Sequence, residues 1–149
     1  GLVSSELQLL YNEPISAEKV VLSGFHNSIG YYIHSSGKQK YTASKWLEFL
    51  EIEDLAKKNF TKLSYGQQRL ILIARAMVKL PPLLIFDEPC QGLDFKNRDL
   101  VLKVIDKIAQ NSTSQILYVT HLMTDQLKCM HHELRFEIKK DGTYKTVVI

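Results

Sequence analysis

The fold is decided by the stretch Leu63-Ser64-Tyr65-Gly66-Gln67-Gln68-Arg69-Leu70 and by its continuation as far as Leu83-Leu84-Ile85-Phe86-Asp87-Glu88-Pro89. Ser64 is a favoured helix N-cap, and Gln67 stands three residues later, the spacing of a capping box. Leu70, Ile71, Ala74, Met77 and Leu80 recur at helical spacing, and Pro81-Pro82 closes the helix. Leu83–Phe86 is a short apolar run of the kind buried in a parallel sheet. Such a strand delivers Asp87 and Glu88 to the carboxyl edge of the sheet, where open α/β folds bind ligands. A capped helix N-terminus beside Gly66 suits a phosphate, because its free N–H groups and its dipole point outward. Two adjacent carboxylates at a strand end suit a magnesium ion and a water.

Toward the C-terminus, Asp94 is expected to cap a helix running to about Ala109, with Leu100, Val101, Val104, Ile105 and Ile108 inward. A polar loop over 111–114 leads to a strand, Gln115–Thr120, and His121 comes next at its carboxyl end. Because a helix links Leu83–Phe86 to Gln115–Val119, those two strands are expected to pair in parallel as neighbours or near-neighbours. Leu134–Ile138 and Tyr144–Ile149 read as a closing hairpin around Lys140-Asp141-Gly142. His131-His132 lacks a third ligand at metal spacing and reads as surface.

Toward the N-terminus, Gly1-Leu2-Val3-Ser4-Ser5 reads as a strand already under way. Ala17–Phe25 is helical and ends near Gly24, and the polar loop 34–38 separates it from a helix starting at Thr42. Trp46, Leu47, Phe49 and Leu50 lie on the buried side of that second helix, with Ile52, Leu55 and Ala56 beyond it. Residues 16–60 should therefore form a mostly helical lobe.

Four of these elements carry a family resemblance. Leu63–Gln67 resembles the signature turn of ABC-type ATPases, and Leu83–Glu88 resembles their Walker B strand with its adjoining glutamate. Gln91-Gly92-Leu93-Asp94 is similar to the D-loop, and Val119-Thr120-His121 to the switch-histidine strand. The four stand in the family's order at about its spacings across residues 63–121. Each alone is weak, and their combination is specific. The resemblance implies an α/β fold: a P-loop NTPase-like, mostly parallel sheet flanked by helices, with a helical subdomain. It divides the chain into a Q-loop region at 1–15, a helical subdomain at 16–62 and the signature-to-hairpin portion at 63–149.

Two departures from the family pattern stand out. Tyr65 takes the place of the signature's first Gly, where its bulk and narrower backbone freedom bear on the fit to nucleotide. Ser5 or Glu6 takes the place of the Q-loop glutamine, with Gln8 two or three residues late; an edge strand with a polar turn is the alternative reading there. The phosphate loop G-x-x-x-x-G-K-[ST] does not occur in these 149 residues. Gly30 through Gly37-Lys38-Gln39 has too long a gap and lacks the final hydroxyl. The loop is expected upstream of Gly1, which would make this stretch the later part of a nucleotide-binding domain.

The roles implied by the resemblance are those of phosphoryl-transfer chemistry. ATP would lie between two such domains, head to tail, with Mg2+ held by Asp87. Glu88 would orient or deprotonate the attacking water, and His121 would hydrogen-bond the γ-phosphate. Ser64, Gly66 and Gln67 belong to the turn that meets the ATP of the opposing domain, and Asp94 carries contact between the two sites. The implied partners are a second nucleotide-binding domain, in tandem or as a dimer, and membrane-spanning transporter subunits. The implied setting is cytoplasmic, on the inner face of the plasma membrane. Within the family, Ser64–Leu70 with Gln91–Phe95 and Asn97-Arg98 looks most like the second half of tandem bacterial ATPases associated with molybdate transport.

Composition bounds the function classes further. The chain has 149 residues, one domain's worth, and a net charge of +3 with its charges interspersed, which gives no footprint for nucleic acid. Cys90 and Cys129 form neither a CxxC nor a Cys/His set and suit a reducing compartment. No apolar run approaches the roughly 20 residues that cross a bilayer. Two other classes stay open beside the transport ATPase. A soluble ABC ATPase of DNA repair or translation would normally show long coiled-coil insertions or basic linkers, absent here. A non-hydrolysing partner domain would not need both Glu88 and His121.

Overall fold

A computed structural model describes residues 1–31, 34–139 and 142–149. In chain order the elements are β1 (Leu2–Ser4), α1 (Ser5–Leu9), α2 (Ala17–Ser23), α3 (Gly37–Phe49), α4 (Tyr65–Met77), β2 (Leu83–Asp87), α5 (Phe95–Asn111), β3 (Gln115–Val119), β4 (Leu134–Ile138) and β5 (Tyr144–Val148). Short 3₁₀ turns lie at Gly24–His26, Glu53–Leu55 and Phe60–Lys62.

Helix α4 is the centre of the molecule. Its capping box forms as the sequence requires: Ser64 Oγ accepts from the Gln67 amide, and the Gln67 side chain accepts from the Ser64 amide. Beyond the cap, Arg69 through Ala74, Ala76 and Met77 are buried, so the helix is enclosed on nearly every side. It packs against α2, α3, α5 and β1. Leu80 does not continue its face. The helix closes at Val78, and Leu80 adopts φ 47° and lies 65% exposed, because the chain has already turned toward Pro81.

Strands β1, β2 and β3 form a parallel sheet in that order. Leu2 pairs with Ile85 and Ile85 with Leu117, so the register runs straight across the sheet. The expected parallel pairing of the Leu83 and Gln115 strands is observed, with α5 as the connection. Burial of β2 alternates rather than running continuously. Leu84 and Phe86 are fully buried with Val3, while Leu83 lies on a face that also exposes Leu2, Leu117 and Val119. In α5 the inward stripe is Val101, Val104, Ile105 and Ile108; Leu100 flanks that stripe and is 44% exposed.

The segment 16–62 carries α2 and α3, as the helical pattern requires, but α3 begins at Gly37 rather than Thr42. Ser36 and Gln39 make a second capping box inside the stretch that reads as a polar loop. Leu47 and Leu50 are buried, whereas Trp46 and Phe49 are partly exposed and meet edge to face, their ring centroids 5.4 Å apart. The strand at the N-terminus stops at Ser4, whose hydroxyl caps the short α1 by accepting from the Leu7 amide. Strands β4 and β5 pair antiparallel as expected. Lys140 and Asp141 of the intervening turn lie outside the described residues. Among the described residues no helix is long and apolar enough to cross a membrane.

Candidate functional site

The sheet's carboxyl edge gathers Asp87, Glu88 and His121. Asp87 ends β2 opposite Ser4 on one side and Val119 on the other, which leaves its carboxylate exposed at the rim. Glu88 is the next residue and has left the strand. Its φ of 47° is the left-handed region, an uncommon setting for a non-glycine residue that costs on the order of 1–3 kcal/mol. The turn swings the carboxylate toward the end of β3. There Glu88 Oε1 lies 2.6 Å from His121 Nδ1 and accepts from the His121 amide at 3.0 Å. The other oxygen, Oε2, is buried and has no hydrogen-bond partner among the described residues.

That orphaned oxygen tests whether the residues fit a hydrated metal and an attacking water. A buried carboxylate oxygen left unpaired is costly unless something completes it. Asp87, exposed beside it, adds a second anionic ligand. Among the described residues no three His, Cys, Asp or Glu side chains converge to enclose an ion. One or two carboxylates with phosphate oxygens and water is the usual environment of magnesium at a nucleotide, so the set fits.

Ser64, Gly66, Gln67 and Asp94 form a second group. Ser64 and Gln67 are committed to each other in the α4 cap. Asp94 caps α5, accepting from the Asn97 amide at 2.9 Å and from Asn97 Nδ2 at 2.6 Å. These bonds, the backbone one foremost, hold the Asp94 carboxyl below its ordinary range. Gly66 joins the two caps. A Cβ there would lie 2.4 Å from Asn97 Oδ1, so the glycine permits α4 and α5 to meet at this point. Tyr65, the neighbouring residue, is 62% exposed. No hydrogen bond joins this group to Asp87, Glu88 or His121 among the described residues; the segment 89–93 connects them along the chain.

Helix α1, which reads as a polar turn in the sequence, reaches both motifs. Ser5 Oγ donates to Gln91 Oε1 at 3.1 Å, beside the D-loop-like turn. Gln8 is 4% exposed, and its Nε2 donates to Gln68 Oε1 at 2.7 Å. Gln68 in turn donates to the carbonyls of Phe60 and Leu63, the residues leading into Ser64. Gln8 therefore faces the signature-like helix, and Ser5 is the residue directly after the strand. The i, i+3 spacing of Ser5 and Gln8 is the sequence sign that one face of a short helix is in use. His131 and His132 are exposed, as expected.

Comparison with known proteins agrees with this architecture. Residues 1–91 match the family described as ABC transporter. The chain is 42% identical over 149 residues to the ABC transporter ATP-binding protein ModF of Escherichia coli K12, covering 99% of this chain and 30% of ModF. It is 36% identical over 102 residues to the molybdate import ATP-binding protein MolC of Haemophilus influenzae, covering 68% of this chain and 40% of MolC. It is 33% identical over 108 residues to the zinc uptake system ATP-binding protein ZurA of Listeria monocytogenes, covering 72% of this chain and 42% of ZurA. The chain thus spans less than half the length of these relatives.

Two solved structures show the same fold. An ATP-binding cassette in its ADP conformation superposes with a TM-score of 0.72 at 20% identity, over 89% of this chain and 55% of that one. A dimeric bacterial ABC transporter cassette superposes with a TM-score of 0.66 at 26% identity, over 89% and 56%. With a parallel sheet bearing Asp87 and Glu88 at its carboxyl edge and a capped signature-like helix behind it, the chain belongs to the ABC transporter ATPase family.

Proposed function

We propose that this chain supplies the signature, Walker B, D-loop and switch elements of an ATPase that hydrolyses ATP at a head-to-tail interface between two nucleotide-binding domains. The observation that carries the reading is Glu88: one carboxylate oxygen is held by His121 and the other is buried without a partner among the described residues. A carboxylate in that state accepts a proton from water, which is the task of a general base in phosphoryl transfer. Asp87 holds the metal, and Mg2+ when bound neutralises charge on the phosphates. His121 orients Glu88 through its amide and its ring Nδ1, and as an imidazolium it would donate from Nε2 toward developing negative charge. Ser64, Gly66 and Gln67 present a helix N-terminus to the ATP of the opposing domain. Asp94 sits at the cap that abuts Gly66 and links the two sites.

The dimeric cassette among the similar structures supports a paired arrangement, and the relatives' names support transport. The chain works at the cytoplasmic face of a membrane with transporter subunits that span it. Molybdate is the first cargo to test, on the likeness to MolC; the likeness to ZurA makes zinc the control. Glu88→Gln in the complete protein tests the reading. Steady-state hydrolysis should fall by about 10²–10⁴-fold with ATP affinity nearly unchanged. Intact turnover would instead favour a non-hydrolysing partner domain.

A further inference from the structure

Outside the residues assigned to the candidate site, one buried carboxylate is tied to both motifs that flank it. The Asp125 side chain is 1% exposed, and both of its oxygens accept hydrogen bonds. Arg98 Nε donates to Oδ1 at 2.6 Å, and Nη2 forms an ion pair with the same oxygen at 2.5 Å. Tyr118 Oη donates to Oδ2 at 2.7 Å, and Thr120 Oγ1 donates to the same oxygen at 2.9 Å. Thr120 Oγ1 also accepts from the Leu122 amide at 3.0 Å, and the Asp125 amide returns to the Leu122 carbonyl at 3.0 Å. Arg98 makes a second bond, to Thr124 Oγ1. Of the two neighbours of His121, Thr120 is thereby bonded to the carboxylate itself, and Leu122 is bonded to Thr120 and to the Asp125 backbone amide.

The far end of the network is the first turn of α5. The Arg98 amide bonds the Asp94 carbonyl, and Asp94 caps the helix through Asn97. Tyr118 reaches the other flank, with its hydroxyl 3.5 Å from Cys90 Sγ in the segment after Glu88. Burial, together with the bonds to Cys90 and Asp125, pushes the Tyr118 phenol well above its ordinary range, so it stays a donor. A buried ion pair carries little stability by itself, because desolvation offsets much of the attraction. What it supplies here is one fixed geometry. The His121 side chain is 64% exposed, and among the described residues its ring is bonded to Glu88 alone.

We propose that Asp125 is the positioning residue of the switch turn, clamping Thr120 and Leu122 on either side of His121 and tying them through Arg98 to the helix that begins after Asp94. The proposal rests on the ATP-hydrolysing reading above. It places Asp125 outside the reacting atoms, acting through His121 alone.

The test compares Asp125→Asn, Asp125→Glu and Glu88→Gln in the complete protein, measuring kcat, KM for Mg-ATP and the thermal unfolding midpoint. Asp125→Asn keeps the shape and removes the charge that holds Arg98. It should lower kcat by about 10–100-fold, the scale of a misplaced reacting group, at little-changed KM. Asp125→Glu restores the charge and should recover part of kcat. If Asp125→Asn does not fold, a reduced kcat at unchanged KM in Asp125→Glu decides in favour. Wild-type kcat in the folded variants, or a loss of activity accounted for wholly by a lower folded fraction, overturns the proposal. Loss of turnover in Glu88→Gln beside wild-type kcat in both Asp125 variants overturns this inference alone. Intact turnover in Glu88→Gln overturns the hydrolytic reading and the inference with it.

Discussion

Gly66 shows how much one missing side chain decides. Its hydrogen faces the Asn97 carboxamide, and a methyl group would overlap Cβ, Cγ and Oδ1 at 2.9 Å, 2.6 Å and 2.4 Å. Asn97 cannot swing away freely, since its Nδ2 is held by Asp94. Gly66→Ala should therefore cost about 1–3 kcal/mol, the scale of overpacking, read as a lower denaturant midpoint. Asn97→Ser, shorter by one heavy atom at the clash, should relieve part of that loss in the double variant. Gly66→Ala at wild-type stability would show that the two helices part easily. Glu88 is the converse case. Its left-handed backbone directs the carboxylate to His121, and the sequence carries only a weak sign of it in the adjoining Pro89, which disfavours a helical conformation.

At the level of elements, caps do more than mark boundaries. Asp94 accepts the Asn97 amide, and that bond lowers its carboxyl from the ordinary value. A carboxyl depressed in the folded state stabilises fully above its unfolded value and loses that contribution as pH falls through the folded one. The loss therefore belongs below about pH 4. Asn at this position still caps but does not titrate. The stability of Asp94→Asn should consequently fall less steeply than wild type across that acid range, tracked by denaturant unfolding at each pH. Parallel curves would show that the cap is not coupled to the charge. The caps also explain which helices were legible in the sequence. Ser64 and Gln67 announced α4 because they stand beside a clear apolar period, and Asp94 announced α5 in the same way. Ser36 and Gln39 are the same device, yet they start α3 inside a polar stretch where no apolar period begins until later. Helix α1 is five residues long, too short for periodicity to register, so its reach to Gln68 and Gln91 was hidden. Leu80 and Leu100 kept the spacing of their helices but not the burial, one lying past a helix end and the other at the edge of a stripe.

Across the molecule, the sheet buries Val3, Leu84 and Phe86 on its helix-covered face and exposes Leu2, Leu83, Leu117 and Val119 on the other. The motifs, their order and the parallel pairing were legible because each has a local chemical reason. Pairwise contacts such as Arg98 with Asp125 or Gly66 with Asn97 were not, because they join residues from different elements. The 149 residues hold the signature-like turn and both carboxylates but no G-x-x-x-x-G-K-[ST] cradle. Calorimetric titration of this chain with Mg-ATP should accordingly show no binding tighter than high micromolar, since backbone N–H groups around the phosphates supply much of the grip. A nanomolar constant would mean that the phosphates are held by residues not assigned to them.

The proposed chemistry has Glu88 turn over an ATP that Ser64 of the opposing domain helps to enclose. Retention of labelled ATP by the complete protein probes both halves at once, with Glu88→Gln compared against Glu88→Gln carrying Ser64→Arg. Removing the base should leave ATP bound and uncleaved through rapid gel filtration, and the arginine at the helix cap should abolish that retention by blocking closure. ATP cleaved at the wild-type rate by Glu88→Gln, or retained equally with Ser64→Arg, would contradict these assignments.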